Sequence, residues 1–327
     1  MKQFGLAYGL IVLISLFATP TAAQDAPQSP AQELADRYAP VVYVREQDHA
    51  CAMPPQGGEP YLPLPVEMVL GNERVLIRDS ENGDQVVATG PNAAELATYG
   101  PETYMDFPGD PRRPGCTYEI DERFRIEQFD LVPTTYARVV IDAEKQRLAL
   151  QYWFFWYFND WNNTHESDWE MIQLFWDDVG GVEDALERPP DRAGYSQHGN
   201  GEMADWDDPK LDLEDESHPR AYPAAGSHAT FYSNETFLAW GERNSGFGCD
   251  VSRGPSVRTE VDAVLVPDEI DPDGEWAWLL YEGRWGERQP GPFNGPVGPN
   301  LNSRWIDPWE ASENWRPFSI VVPGSKA

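Results

Sequence analysis

Histidine and cysteine are scarce in this chain of 327 residues, with five of the first and three of the second. Three cysteines allow at most one internal disulfide and leave one over. Cys249 has neither a second cysteine nor a histidine at metal-ligand spacing, which argues against zinc–thiolate chemistry. Basic residues are also few, 24 against 55 acids, for a net charge of −31. A surface of that sign repels phosphodiesters and excludes nucleic acid as a partner. It suits a solvated exported surface, an affinity for cations, or a salty habitat. HExxH, P-loop, GxSxG and Rossmann glycine signatures are all absent, so the common catalytic frameworks find no support.

Long apolar runs are missing too, apart from one at the N-terminus. There Lys2 precedes an apolar stretch from about Gly5 to Phe17, and Thr21, Ala22 and Ala23 offer a cleavage site. Residues 1–23 read as an export signal, too short to span a bilayer comfortably, and no other segment reads as transmembrane. The expected product is secreted or periplasmic, with residues 24–327 as a single domain. Removing the signal takes one lysine and no acid, so the charge grows one unit more negative. Cys51 and Cys116 both lie in Pro/Gly-rich loops, and their pairing suits an oxidising compartment.

Helical periodicity is confined to residues 31–38 and 92–100, whereas strand patterns recur at 40–44, 73–79, 135–143, 147–158, 168–176, 228–233, 261–267 and 276–283. Many short strands parted by Pro, Gly, Asn and Asp predict an all-β fold, an antiparallel β-sandwich with long loops and a few short helices. The segment 147–158 is apolar on both parities and belongs at the centre of a sheet. The acidic stretch 205–220 has no apolar period and reads as a long surface excursion.

The chemistry concentrates in WNNTHESDWEMIQLFW, residues 161–176, where His165, Glu166, Asp168 and Glu170 stand between tryptophans. Burying carboxylates costs several kcal/mol each unless something compensates them. Alternation from Asp168 onward places Asp168 and Glu170 on one strand face beside the loop carrying His165. His198 and His228 have similar small or polar neighbours, and strand ends meeting at one edge would gather all five. A divalent cation would neutralise such a cluster. Carboxylate-rich ligation favours calcium or magnesium, with manganese or zinc as further choices. Without an ion, arginines such as Arg284 or Arg288 would be the partners.

The blocks YAPVVYV (38–44), EPYLPLPVE (59–67), LQYWFFWYFNDWNNTHESDWE (150–170), YSQHGNGE (195–202), SHATFYS (227–233) and RWGERQPGPFNGPVGP (284–299) resemble the vacuolar protein sorting-associated protein sixty-two family. HESDWE also resembles the end of the GHRHDWE heptapeptide of necrosis-inducing, cytolytic proteins. That second resemblance implies a secreted β-sandwich with a cation-binding edge that engages lipid heads, and metal or supporting roles for His165, Asp168 and Glu170. Ser167 stands where the heptapeptide has its second histidine, and Thr164 replaces its glycine.

Three functions stand open. The first is an exported, cation-binding sandwich that recognises a membrane lipid head group or glycan. The second is a metal-assisted hydrolase of phosphoester or glycosidic bonds, with Glu166 or Glu170 as general base. The third is a structural cation site whose partner surface lies elsewhere.

Overall fold

Two thirteen-residue strands, Arg147–Asn159 and His165–Asp177, form the hairpin around which the rest is arranged. Aromatic and β-branched side chains favour the pleated conformation and fill its faces. Every residue from Leu148 to Asn159 is buried, as expected of a strand apolar on both parities. The register sets Phe154 opposite Glu170, Trp156 opposite Asp168 and Asn159 opposite His165. The computed structural model describes residues 28–240 and 247–324. The expected signal, residues 1–23, lies outside the described residues.

This hairpin is the centre of a six-stranded sheet. Thr134–Asp142 and Asp262–Leu265 extend one side, and Arg192–Gln197 and Asn200–Asp205 extend the other. A second sheet is built on Val41–Arg45, flanked by His218–Pro223 and Ser256–Glu260. Val42, Val44 and Ala221 of the second sheet share one buried cluster with Leu150, Tyr152, Ile172 and Tyr195 of the first. The fold is a β-sandwich, antiparallel except that Val41–Arg45 runs parallel to His218–Pro223 and Asp262–Leu265 parallel to Thr134–Asp142, with long loops and short helices. No helix among the described residues is long and apolar enough to cross a membrane.

Two segments differ from expectation. Residues 276–283 contain a 3-10 helix, Ala277–Leu280, instead of a strand. Ala277, Trp278 and Leu279 are consecutive and all buried, and Trp278 stacks on Trp169 with ring centroids 5.8 Å apart. That contact asks for a tight turn, not an alternating strand. The stretch 205–220 is also more than an excursion: Leu213–Glu214 pairs with the strand His218–Pro223, and Leu211 is buried.

The helix Thr117–Phe129 turns mostly charged residues inward, with Tyr118 and Ile126 as its apolar contacts, which hides it from periodicity. It buries Glu119, Asp121, Glu122 and Arg125 while Ile120 and Phe124 face solvent. Each buried charge finds a partner. Glu119 accepts from the Cys51 amide at 2.9 Å, Asp121 from the Tyr157 hydroxyl at 2.6 Å and Glu122 from the Leu62 amide at 3.0 Å. Arg125 donates to Glu67 O at 2.8 Å.

The C-terminal segment is clasped to the six-stranded sheet by arginine–tryptophan stacking. Arg138 lies 4.2 Å from the Trp305 ring centre and Arg147 lies 4.1 Å from that of Trp309. Trp315 lies over Gly194 and Gly201, where a Cβ would come within 2.8 Å and 2.5 Å of its ring. This clasp delivers Arg304 to the end of the hairpin.

Cys51 and Cys116 form a disulfide, joining the loop after Val41–Arg45 to the start of the helix Thr117–Phe129. The bridge spans 65 residues. Closing a loop of that length removes about 4 kcal/mol of chain entropy from the unfolded state. Cys51→Ser is expected to lower the unfolding free energy by about that amount in urea titrations. Identical midpoints with and without reductant would show the loop to be pinned by other contacts.

Candidate functional site

The site forms where the hairpin leaves regular geometry. Ser167 has φ of +53°, in the left-handed region that non-glycine residues rarely occupy. Its neighbours Glu166 and Asp168 find entirely different partners. Glu166 is fully buried, accepting from the Phe107 amide at 3.0 Å, the Glu287 amide at 2.8 Å and the Tyr118 hydroxyl at 2.7 Å. Burial pushes its carboxyl well above the usual range despite those donors. It belongs to an acid group with Asp106 and Glu287, apart from the other expected site residues.

Asp168 faces the opposite environment. Its Oδ2 accepts from Asn159 Nδ2 at 3.1 Å and from His228 Nδ1 at 3.1 Å. On the far side of the same imidazole, His228 Nε2 lies 3.6 Å from Glu59 Oε2. The His228 ring is completely buried and stacks on Trp156 with centroids 4.3 Å apart and planes at 7°. Burial alone would favour neutral imidazole, but the two carboxylates outweigh it and lift the pKa to about 9. Burial likewise works against the Asp168 charge, and His228 more than offsets it, leaving the carboxyl below its ordinary value.

Glu170 is held by the Ser196 hydroxyl and by the His198 amide at 3.2 Å. Burial, then Asp168, raises its pKa to about 7, opposed by Arg304. His198 turns its Nε2 to Asp250 at 3.0 Å, and Asp250 is fixed by Ser227 Oγ at 2.6 Å. Burial opposes charge on His198 as well, yet Asp250 prevails and raises it to about 9. Arg304 ties this corner together by donating to the carbonyls of His198 and Asn200. His198 and His228 both sit at φ of +55°. Strain of about 1–3 kcal/mol at each such residue is characteristic of functional sites.

His165 behaves differently from the other two histidines. It is buried without a carboxylate bond, and desolvation pushes its pKa down to about 4, so it is neutral at physiological pH. It opens onto a polar cavity of about 640 Å³, bounded by the hairpin end on one side and residues 291–297 and 301–304 on the other. Asp168, Glu170, His198, Arg284 and Arg304 line the same space, with Asn163 and Trp169. Three buried polar atoms of these lining residues have no hydrogen-bond partner: Asn163 Oδ1, His165 Nδ1 and Trp169 Nε1.

The expected residues are therefore only partly brought together. His165, Asp168, Glu170 and His198 line one cavity, while His228 stands behind Asp168 and Glu166 points elsewhere. Among the described residues, no three of the five expected ligands bring donor atoms within 4.8 Å of one another. Asp168 is compensated by the His228 imidazolium, Glu170 by Ser196, the His198 amide and the field of Arg304, and Glu166 by its three donors. Neither Arg284 nor Arg288 pairs with Asp168 or Glu170. Sequence reasoning did not select Glu59 or Asp250, the counter-ions of the two charged histidines, nor Asn163 and Trp169. Their long-range contacts leave no local spacing to read.

No family model matches the chain. No curated protein matches it. Several solved structures do align. NLPPya in complex with mannosamine is 12% identical, covers 90% of this chain and 96% of its own, and gives a TM-score of 0.40. A structure described as a toxin fold for microbial attack and plant defense is 12% identical over 92% and 99%, with a TM-score of 0.42. Necrosis and Ethylene inducing Protein 2 from the causal agent of cocoa's Witches Broom disease is 12% identical over 72% and 74%, at 0.29. The resemblance to the vacuolar protein sorting-associated family is thus corrected: no model of it matches, and the structures that align include necrosis-inducing and toxin-fold proteins.

The charged histidines make a pH dependence. His198 and His228 are raised from 6.5 to about 9 on folding. The folded state then holds those protons more tightly, so the stabilisation is complete below about pH 6.5 and is lost as pH rises through 9. Thermal stability is expected to fall across that window, less steeply in His228→Gln. That variant also leaves two buried carboxylates without a counter-charge and should lose about 3–5 kcal/mol in urea. Melting curves that stay flat from pH 6.5 to 9.5 would contradict the assignment.

Proposed function

We propose that this chain is an exported binding protein whose cavity receives a polyhydroxylated head group, of a glycan or a lipid. One observation carries the reading: the three partnerless polar atoms of Asn163, His165 and Trp169 belong to residues lining the same cavity. A buried polar atom without a partner costs about 1–3 kcal/mol. Sugar hydroxyls both donate and accept, so they match an amide oxygen, an imidazole nitrogen in either role and an indole N–H once a small side-chain rotation brings these atoms to the cavity surface. Aromatic packing of Trp169 against Phe155 and Trp278 limits the adjustment that a ligand must induce. The disulfide agrees with a secreted or periplasmic location.

Capture is favoured over hydrolysis by the state of the two candidate bases. Glu166 is enclosed under three donors away from the cavity, and both oxygens of Glu170 are held by Ser196 and His198. A divalent cation such as calcium or magnesium fits this donor set poorly. His165 Nδ1 and the Asp168 carboxylate are suitable donors, but His198 and His228 are engaged by Asp250, Asp168 and Glu59. No step of the proposal passes through an ion.

Isothermal titration with simple hexoses tests the reading. Asn163→Ala and Trp169→Phe each remove one partnerless atom and should weaken binding roughly fivefold, the value of about 1 kcal/mol for one hydrogen bond. Affinities unchanged in both variants would remove the basis of the proposal. Chelator should leave both the melting temperature and hexose binding as they are. A lower melting temperature in chelator, with stoichiometric metal by elemental analysis, would restore the cation.

A further inference from the structure

Taken charge by charge, the cavity is balanced with one exception. Asp168 is answered by His228, His198 by Asp250, and Glu170 lies in the field of Arg304. Arg284 has no carboxylate partner among the described residues. Its Nη1 donates to Gly295 O at 2.8 Å, and the one neighbouring charge that perturbs it is Arg288, of the same sign. Arg304, the other arginine lining the cavity, acts on Glu170, whereas no acid is among the neighbours that perturb Arg284.

Its placement suits a ligand. The backbone of Arg284 is pinned on both sides, its amide donating to Thr103 O at 3.1 Å and its carbonyl accepting from the Met105 amide at 2.9 Å. The side chain, partly buried, lines the cavity opposite the strand that carries Asp168. With Nη1 engaged, Nε and Nη2 are left for an acceptor, and a guanidinium edge of that shape matches the two oxygens of a carboxylate or phosphate. We infer that Arg284 receives an oxyanion carried by the ligand, so that the head group taken by this cavity is an anionic sugar. This rests on the head-group reading and adds the sign of the ligand's charge to it. The acidic exterior does not forbid such a ligand, because charges more than a Debye length of about 10 Å away are screened at ordinary salt.

Isothermal titration with glucose, glucuronate and glucose 6-phosphate separates the cases. Wild-type protein should bind at least one of the two anions about tenfold or more tightly than glucose, a gap that narrows as salt is added. Arg284→Gln should abolish the gap and Arg284→Lys should retain part of it, with a melting temperature like that of the wild type in both variants reporting an intact fold. A gap for glucuronate alone assigns a carboxylate, and one for the phosphate alone assigns a phosphoryl group. Equal affinity for all three sugars, or a gap that survives in Arg284→Gln, overturns the inference and leaves the head-group reading standing. Binding of none of them overturns both.

Discussion

One buried bridge holds the site together: the imidazolium of His228 lies between the carboxylates of Asp168 and Glu59, with Trp156 stacked on its face. An imidazolium between two acidic side chains in a dry interior is costly to desolvate, and the arrangement persists because each group has a partner and the acids have further donors. Asn159 and the Trp169 amide complete Asp168, while the amides of Tyr61 and Gly226 complete Glu59. The ring is thereby fixed in position and charge, and Asp168 is presented to the cavity from a rigid backing. A second pair, His198 with Asp250, repeats the device one strand away. Together they show which groups of this chain answer the carboxylates that stand among its tryptophans.

Much of the scaffold was legible because it is local. The long hairpin announced itself by aromatic density and by apolar residues on both parities; the first strand occurs where the pattern placed it, and the second begins three residues earlier, taking His165 out of the expected loop. The pairing of Cys51 with Cys116 followed from their loop settings. The helix Thr117–Phe129 was invisible for a physical reason: its inward face is charged and its outward face carries Ile120 and Phe124, the reverse of the pattern that marks an amphipathic helix. The 3-10 turn at Ala277–Leu280 was mistaken for a strand because short apolar runs do not disclose their period.

The site divides along the same line. His165, Asp168, Glu170 and His198 were identifiable from acids and imidazoles beside dry neighbours, and they do meet at one cavity. The identity of the compensating charge was not legible. Glu59 and His228 are far apart in sequence, as are His198 and Asp250, and no motif links them. Arg284 enters the cavity through the fold of the C-terminal loops, and its lack of a carboxylate is a property of three-dimensional neighbours alone. Alternation also failed at one point: left-handed Ser167 separates the surroundings of Glu166 from those of Asp168, so a compact acidic run supplies two distinct environments.

The covalent link has a further meaning once the bridge is known. Glu59 lies between Cys51 and Cys116, inside the loop that their bond closes. The same stretch of chain is therefore tethered twice, once by sulfur and once through its carboxylate to the centre of the sandwich. Thiol oxidation narrows the excursions of the segment that carries the distal anion, so the redox state of the surroundings bears directly on how firmly the cavity's rear wall is set.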